Sequence, residues 1–282
     1  MKLFLVGGDR RQQYLQENFR AEGFFTYSFG LFKEDSKEKF LEKLQMEYAP
    51  TVLLPLPSTK DSQHIFAPQC LSPLSFETLL AHLHGPARIL GFSIPKTWCQ
   101  MARDRGFIIE DLYHEAVKIG NAKLTAAGAM QLLQSILKEP LLKKHVAILG
   151  FGRIGKELFS LLEPYAKETS LFLRNETMRA SLQIQGKRAF SMDALEQELP
   201  QMDVLFNTVP SPILTTSLLE KTKENSILIE LASSPFGFSL EEAKKMGRTA
   251  ILAGGLPGKY YPMEASAILL EQFQKALPKE EM

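Results

Sequence analysis

The sequence predicts an α/β protein of two lobes, on three observations: short apolar runs closed by glycine, helical periods alternating with them, and a length beyond one ordinary domain. The chain has 282 residues. Alternation of strand and helix implies parallel pairing, because a crossover helix brings each strand back in the same direction. The expected boundaries are residues 1–121 for an N-terminal lobe, completed by a returning segment at 259–282, and 122–258 for a C-terminal lobe that includes a linking helix.

Residues 3–6, Leu-Phe-Leu-Val, form the first expected strand, stopped by Gly7-Gly8, and residues 12–21 carry helix formers before Gly23. Residues 52–56 and 87–92 are the next strand candidates, each followed by proline. The stretch 58–85, with its prolines and serines, reads as a long irregular segment over a cleft. Residues 98–105 predict an amphipathic helix and 107–110 an extended piece. Leu124, Ala127, Leu132, Leu133, Ile136 and Leu137 place a long helix at 121–137 that could bridge two lobes.

From His145 the alternation is regular. Strands are expected at 145–149, 170–174, 203–207, 226–231 and 249–253, with helices at 153–166, 191–199 and 215–222. Ser239 and Glu242 have capping-box spacing, which opens a short helix to Met246. A glycine turn at 254–258 precedes a last helix at 263–276, expected to return to the first lobe.

Composition narrows the function. Lys plus Arg number 33 against 32 Asp plus Glu, a net charge of +1. Sequence-independent nucleic-acid binding needs a basic excess that is absent, so no nucleic-acid partner is expected. Cys70 and Cys99 match no metal-ligand spacing and make no disulfide framework, so no metal site and a reducing compartment are expected. The opening apolar run is too short for a signal peptide, and no stretch reaches the roughly 18 apolar residues of a membrane span. A cytoplasmic protein without a membrane partner is the expectation.

The strongest motif is Gly150-Phe151-Gly152-Arg153-Ile154-Gly155, which follows the apolar strand 145–149 and opens a helix. In that context Gly150 permits the tight turn, Gly152 lets a pyrophosphate reach the backbone, and Gly155 allows close helix packing. The C-terminal lobe is therefore read as a Rossmann doubly wound parallel sheet, and the smaller N-terminal lobe as Rossmann-like or flavodoxin-like. An acidic side chain after the second strand would bond the ribose of NAD. Here Arg174-Asn175 stands instead, and a guanidinium suits a 2′-phosphate, which selects NADP. Thr208, Val209, Pro210, Ala232, Ser233 and Pro257 lie just past later strands, where the rest of such a cofactor would sit.

Five separated pieces resemble the dipicolinate synthase A-subunit family: the opening Gly7-Gly8-Asp9-Arg10-Arg11-Gln12, the segment 149–155, Asn207-Thr208-Val209-Pro210-Ser211, Leu231-Ala232-Ser233-Ser234-Pro235, and Gly255-Leu256-Pro257-Gly258-Lys259. The resemblance implies oxidation of 4-hydroxy-tetrahydrodipicolinate to dipicolinate with NADP during sporulation, and a second, flavoprotein-like B-subunit. The chain departs from the family before Gly128, where Ala127 replaces an acidic residue.

A small dicarboxylate needs anchors. Arg11 and the backbone near Gly8 are the first candidates, with Asp9, Asn121 and Lys259 beside them. For proton removal the chain offers Asp9, His114, Glu115 and Lys259, and no spacing marks one as the base. His64, His82 and His84 read as surface histidines. Association of like chains is expected, with no interface marked in the sequence. Two alternatives remain: a D-2-hydroxyacid dehydrogenase, weakened because 231–237 holds no Arg and no His follows His145, and a non-catalytic NADP(H)-binding component of a complex.

Overall fold

A computed structural model describes residues 1–277, and residues 278–282 of the returning segment lie outside the described residues. The chain divides into two compact units, Met1–Gly120 with Gly258–Met282, and Asn121–Pro257. No helix among the described residues is long and apolar enough to cross a membrane.

The first unit begins β1 (Lys2–Val6), α1 (Arg10–Ala21), β2 (Phe25–Phe29), α2 (Lys37–Met46) and β3 (Thr51–Leu53). It continues α3 (Phe76–Ala81), β4 (Arg88–Gly91), α4 (Lys96–Asp104), β5 (Ile108–Asp111) and α5 (Glu115–Ile136), the division between units falling inside α5. The five strands are all parallel in the order β2-β1-β3-β4-β5, which is the flavodoxin-like order with its reversal between β1 and β3. Because side chains alternate along a strand, Phe4 and Val6 join Phe40, Leu44 and Trp98 on one face. Leu3 and Leu5 join Leu15 and Phe19 on the other. Both faces are covered, which is why this strand reads as unbroken apolar sequence.

The second unit holds β6 (His145–Leu149), α6 (Arg153–Leu162), β7 (Glu168–Phe172), α7 (Glu176–Ile184), β8 (Arg188–Phe190), α8 (Leu195–Glu198), β9 (Val204–Asn207), α9 (Thr216–Lys221), β10 (Ile227–Glu230), α10 (Leu240–Lys245) and β11 (Thr249–Leu252). The parallel order β11-β10-β9-β6-β7-β8 is that of a Rossmann sheet, reversing between β6 and β9. After α11 (Leu256–Tyr260), α12 (Pro262–Ala276) lays Leu269 and Phe273 into the first unit's core beside Phe19.

Several elements differ from the sequence reading. Residues 58–85 are not wholly irregular: Ser75 caps α3, and Phe76, Leu79 and Leu80 anchor it in the core. The long helix starts at Glu115 rather than 121 and runs through Gly120, where a Cβ would come within 2.8 Å of Ile268 Cδ1. Close packing keeps the glycine inside the helix. The supposed turn at 254–258 winds into α11. The helix expected at 191–199 is a short α8 flanked by 3-10 turns at Met192–Ala194 and Leu199–Gln201. β7 lies two residues earlier than expected, and β2, α2, α7 and β8 carried no expectation.

Candidate active site

At the carboxyl edge of the second sheet, three strand ends are laced together. Gly150 leaves β6 at φ +93, and a Cβ there would stand 2.6 Å from both Thr208 Oγ1 and Val209 Cγ2. Only glycine takes that conformation and that proximity together. Gly155 is equally constrained, since a Cβ would collide with the Gly150 carbonyl oxygen. Gly152 is different. It is the N-cap of α6, makes no side-chain cap bond, and has no atom within 4 Å of where a Cβ would be. Backbone is left open at a helix N-terminus, where amide groups and the helix dipole favour a phosphate.

Beside this turn a cavity of about 310 Å³ is lined by Gly150, Phe151, Leu173, Arg174, Asn175, Met178, Met192 and Val209. Arg174 is exposed at its rim. The Asn175 side chain is engaged as the N-cap of α7, accepting from Met178 N at 2.8 Å. Glu176 follows in the first turn, 88% exposed and 4.0 Å from Arg179. Ile154 and Arg153 lie in the first turn of α6, with Phe151 edge-on to Phe159 at 6.0 Å between ring centres.

Across the strand reversal, Thr208 Oγ1 donates to Leu149 O at 2.8 Å, fastening the end of β9 to that of β6. Asn207 grips the following turn, donating to Val209 O at 3.0 Å and accepting from Val209 N at 3.1 Å. Glu230, fully buried at the end of β10, accepts from Asn207 Nδ2 at 2.7 and 3.0 Å, from Ala232 N at 2.9 Å and from Gly237 N at 2.8 Å. Burial pushes its carboxyl above the ordinary range, against the pull of the Asn207, Gly237 and Ala232 donors. The sequence reading missed this pair. The available signal was an acid closing the apolar run Ile227-Leu228-Ile229. Pro210 and Ser233 are exposed, while Ala232 and Pro257 are buried.

A second polar cluster lies in the first unit, at its own strand reversal. Arg11 Nε and Nη2 donate to Asp9 Oδ1 and Oδ2, each at 2.8 Å, and Nη2 also reaches Leu56 O at 2.6 Å. Nη1 takes no part in this fork. Gly258 abuts the pair, since a Cβ there would be 2.7 Å from Asp9 Oδ2. The Gly8 amide, expected as an anchor, donates instead to Phe66 O at 2.6 Å, because the 58–75 segment folds back over the end of β1. Lys259 is exposed on α11, Glu115 and His114 are exposed at the start of α5, and Asn121 is half-buried within it. His64 pairs with Asp61 at 2.8 Å, His82 bonds Thr78 O, and His84 is exposed.

An open helix N-terminus after a tight glycine turn on a Rossmann sheet is the arrangement of a dinucleotide-binding domain. Residues 115–236 match the family described as D-isomer specific 2-hydroxyacid dehydrogenase, NAD binding domain. Residues 2–113 match a narrower family, the N-terminal domain of the dipicolinate synthase A-subunit. Over its length the chain is similar to the dipicolinate synthase A-subunit of Bacillus subtilis strain 168, 24% identical over 98% of this chain and 96% of the relative. In fold it is similar to the crystal structure of the dipicolinate synthase A-subunit from Bacillus halodurans. That likeness has a TM-score of 0.82 at 22% identity, covering 98% of this chain and 97% of the other. The corresponding Bacillus subtilis structure gives 0.79 at 22% identity, covering 98% and 95%. Together these matches support an oxidoreductase with a nicotinamide-dinucleotide domain.

Proposed function

We propose that the chain is an NADP-dependent dehydrogenase that converts 4-hydroxy-tetrahydrodipicolinate to dipicolinate in the cytoplasm of a sporulating cell, as a homo-oligomer working with a flavoprotein-like B-subunit. The observation that carries the reading is the Gly152 cap: open backbone at the start of α6, between a glycine that must turn and a glycine that must pack. The residues fit a dinucleotide diphosphate in charge and space. Gly150, Phe151, Gly152, Arg153, Ile154 and Gly155 would hold the diphosphate, and Arg174 with Asn175 the adenosine ribose. Thr208, Val209, Pro210, Ala232, Ser233 and Pro257 would flank the nicotinamide. When bound, that group supplies a hydride acceptor.

The substrate loses water, a hydride and a proton, and ends as an aromatic ring. Much of the driving force lies in the product, so the protein's task is to orient the ring and its two carboxylates. Arg11 is the assigned anchor through Nη1. Asp9, with both oxygens held by Arg11, is assigned to positioning that guanidinium rather than to proton removal. Asn121 and Lys259 are assigned to the substrate's other polar groups, and Glu115 stays a candidate base.

The test is steady-state reduction of NADP by freshly made 4-hydroxy-tetrahydrodipicolinate, with and without the B-subunit, beside direct titrations of NADP and NAD. Dipicolinate formed in step with NADPH is the expected result. A chain that binds NADP but turns nothing over under either condition is a non-catalytic component, and one that binds neither dinucleotide overturns the reading altogether.

A further inference from the structure

Glu230 is the one acidic side chain among the described residues to be buried, and the bonds it makes are to N–H groups rather than to a cation. An interior carboxylate without a cationic partner is costly, and neutral side chains of similar size fill strand ends at less expense. What a neutral side chain lacks is two acceptor oxygens. One oxygen of Glu230 holds Ala232 N and Asn207 Nδ2, and the other holds Gly237 N and the same Asn207 nitrogen. Asn207 in turn grips both the amide and the carbonyl of Val209, and Val209 and Thr208 press on Gly150. Gly237 is part of the same device, since a Cβ there would collide with the Asn207 amide nitrogen.

This lattice lies to one side of the glycine turn. The cavity with Arg174 is on the β7 side of β6, and β9 and β10 are on the other. A dinucleotide bound across the strand reversal therefore places its adenosine toward Arg174 and its nicotinamide toward residues 207–211 and 231–237. We propose that Glu230 is a positioning residue for the nicotinamide half of the dinucleotide, acting through Asn207 on the 208–211 turn and through two backbone amides on the 231–237 loop. The proposal rests on the dinucleotide reading above and deepens it.

The experiment compares wild type, Glu230→Gln and the double variant Glu230→Gln/Asn207→Asp, titrated with NADPH and with adenosine 2′,5′-bisphosphate. Glutamine keeps the volume but turns one acceptor into a donor facing another donor. The expected result is NADPH affinity lowered about tenfold, reduced enhancement of bound nicotinamide fluorescence, and adenosine bisphosphate affinity within about twofold of wild type. The double variant re-forms the 230–207 contact with reversed polarity but leaves Val209 O without its donor, so NADPH affinity stays lowered while adenosine bisphosphate affinity stays near wild type. Should Glu230→Gln fail to fold, Glu230→Asp, which retracts the carboxylate by one methylene, takes its place with the same expectations. NADPH binding at wild-type strength, or equal loss for NADPH and adenosine bisphosphate, overturns the proposal. If the wild-type chain binds the bisphosphate and NADPH not at all, the cofactor reading fails first and this one with it.

Discussion

Asp9 and Arg11, two positions apart at the start of α1, close on each other as a two-pronged ion pair of 2.8 Å on each arm. Asp9 Oδ1 also accepts from Arg11 N at 3.1 Å, so one carboxylate caps the helix and holds the guanidinium. The partners are unequally buried, with side-chain exposure of 8% for Arg11 and 23% for Asp9. Asp9→Ala therefore strands a buried cation on Leu56 O and removes a cap, at a cost of about 3 kcal/mol. Arg11→Ala leaves Asp9 able to hydrate and still capping, at about 1–2 kcal/mol. Urea unfolding of both variants checks the order. Arg11→Ala, as the less damaging change, is also expected to lose turnover while keeping its dinucleotide affinity, and equal destabilisation by the two would contradict the unequal roles.

Gly152→Ala and Gly155→Ala separate binding from folding within one motif. Alanine at 152 meets nothing within 4 Å, and φ −81 with ψ −161 is ordinary for it. Stability should change by less than about 0.5 kcal/mol, while the methyl group occupies the room a diphosphate needs and dinucleotide affinity falls at least about tenfold. Alanine at 155 meets backbone that cannot step aside. Its cost should be about 2–3 kcal/mol before any ligand is added. Thermal melts with and without NADPH distinguish the two, and a Gly152→Ala chain that gains as much from NADPH as wild type refutes the assignment.

The legibility of this fold in its sequence followed burial. β1 and β6 are buried on both faces, so their apolar runs stand out, and Gly7, Gly8 and Gly150 after them combine a positive φ with neighbours too close for a Cβ. β2 is an edge strand with Phe25 exposed, and its Phe-Thr-Tyr-Ser-Phe pattern carries little signal. α3 is six residues long, too short for periodicity to accumulate, and is made by tertiary contact. The glycine cradle and Arg174 were visible as local motifs. The Glu230–Asn207 pair was not, because its partners are 23 positions apart and meet only through strand order. The Gly8 amide was misjudged for the same reason: Phe66, which accepts from it, arrives from a distant segment.

The proposed preference for NADP rests on Arg174. It is exposed at the rim of the cavity beside Gly150, with no acid at the preceding Leu173 and Glu176 turned to solvent. A charge-assisted bond to a 2′-phosphate contributes about 1.5–3 kcal/mol. Arg174→Ala should thus weaken NADPH about tenfold to a hundredfold and leave NADH within about twofold. Paired fluorescence titrations measure both. Tighter binding of NADH than NADPH by the wild-type chain would show that the guanidinium serves another purpose.

Asp203 gives the acid limb of stability a specific origin. It opens the turn into β9, with Oδ1 accepting from Lys223 Nζ at 2.7 Å and Oδ2 from His145 N at 2.8 Å. Burial alone would push its carboxyl up, but the Lys223 ammonium, the His145 amide and Lys144 outweigh burial and hold it below 3.8. A carboxyl depressed in the folded state binds protons less well there than in the unfolded chain, so its stabilisation is present above the unfolded value and disappears as pH falls through the folded one. Glu230 has the opposite sign, since its raised carboxyl makes ionisation unfavourable to folding as pH climbs above 4.5. Asp203→Asn keeps the shape and removes the charge. The gap in Tm between wild type and this variant should be widest near about pH 6 and narrow as pH falls below 3.8 through the lowered folded value. A gap that stays constant across that range would mean Asp203 acts through shape alone, and the ion pair with Lys223 contributes nothing to acid stability.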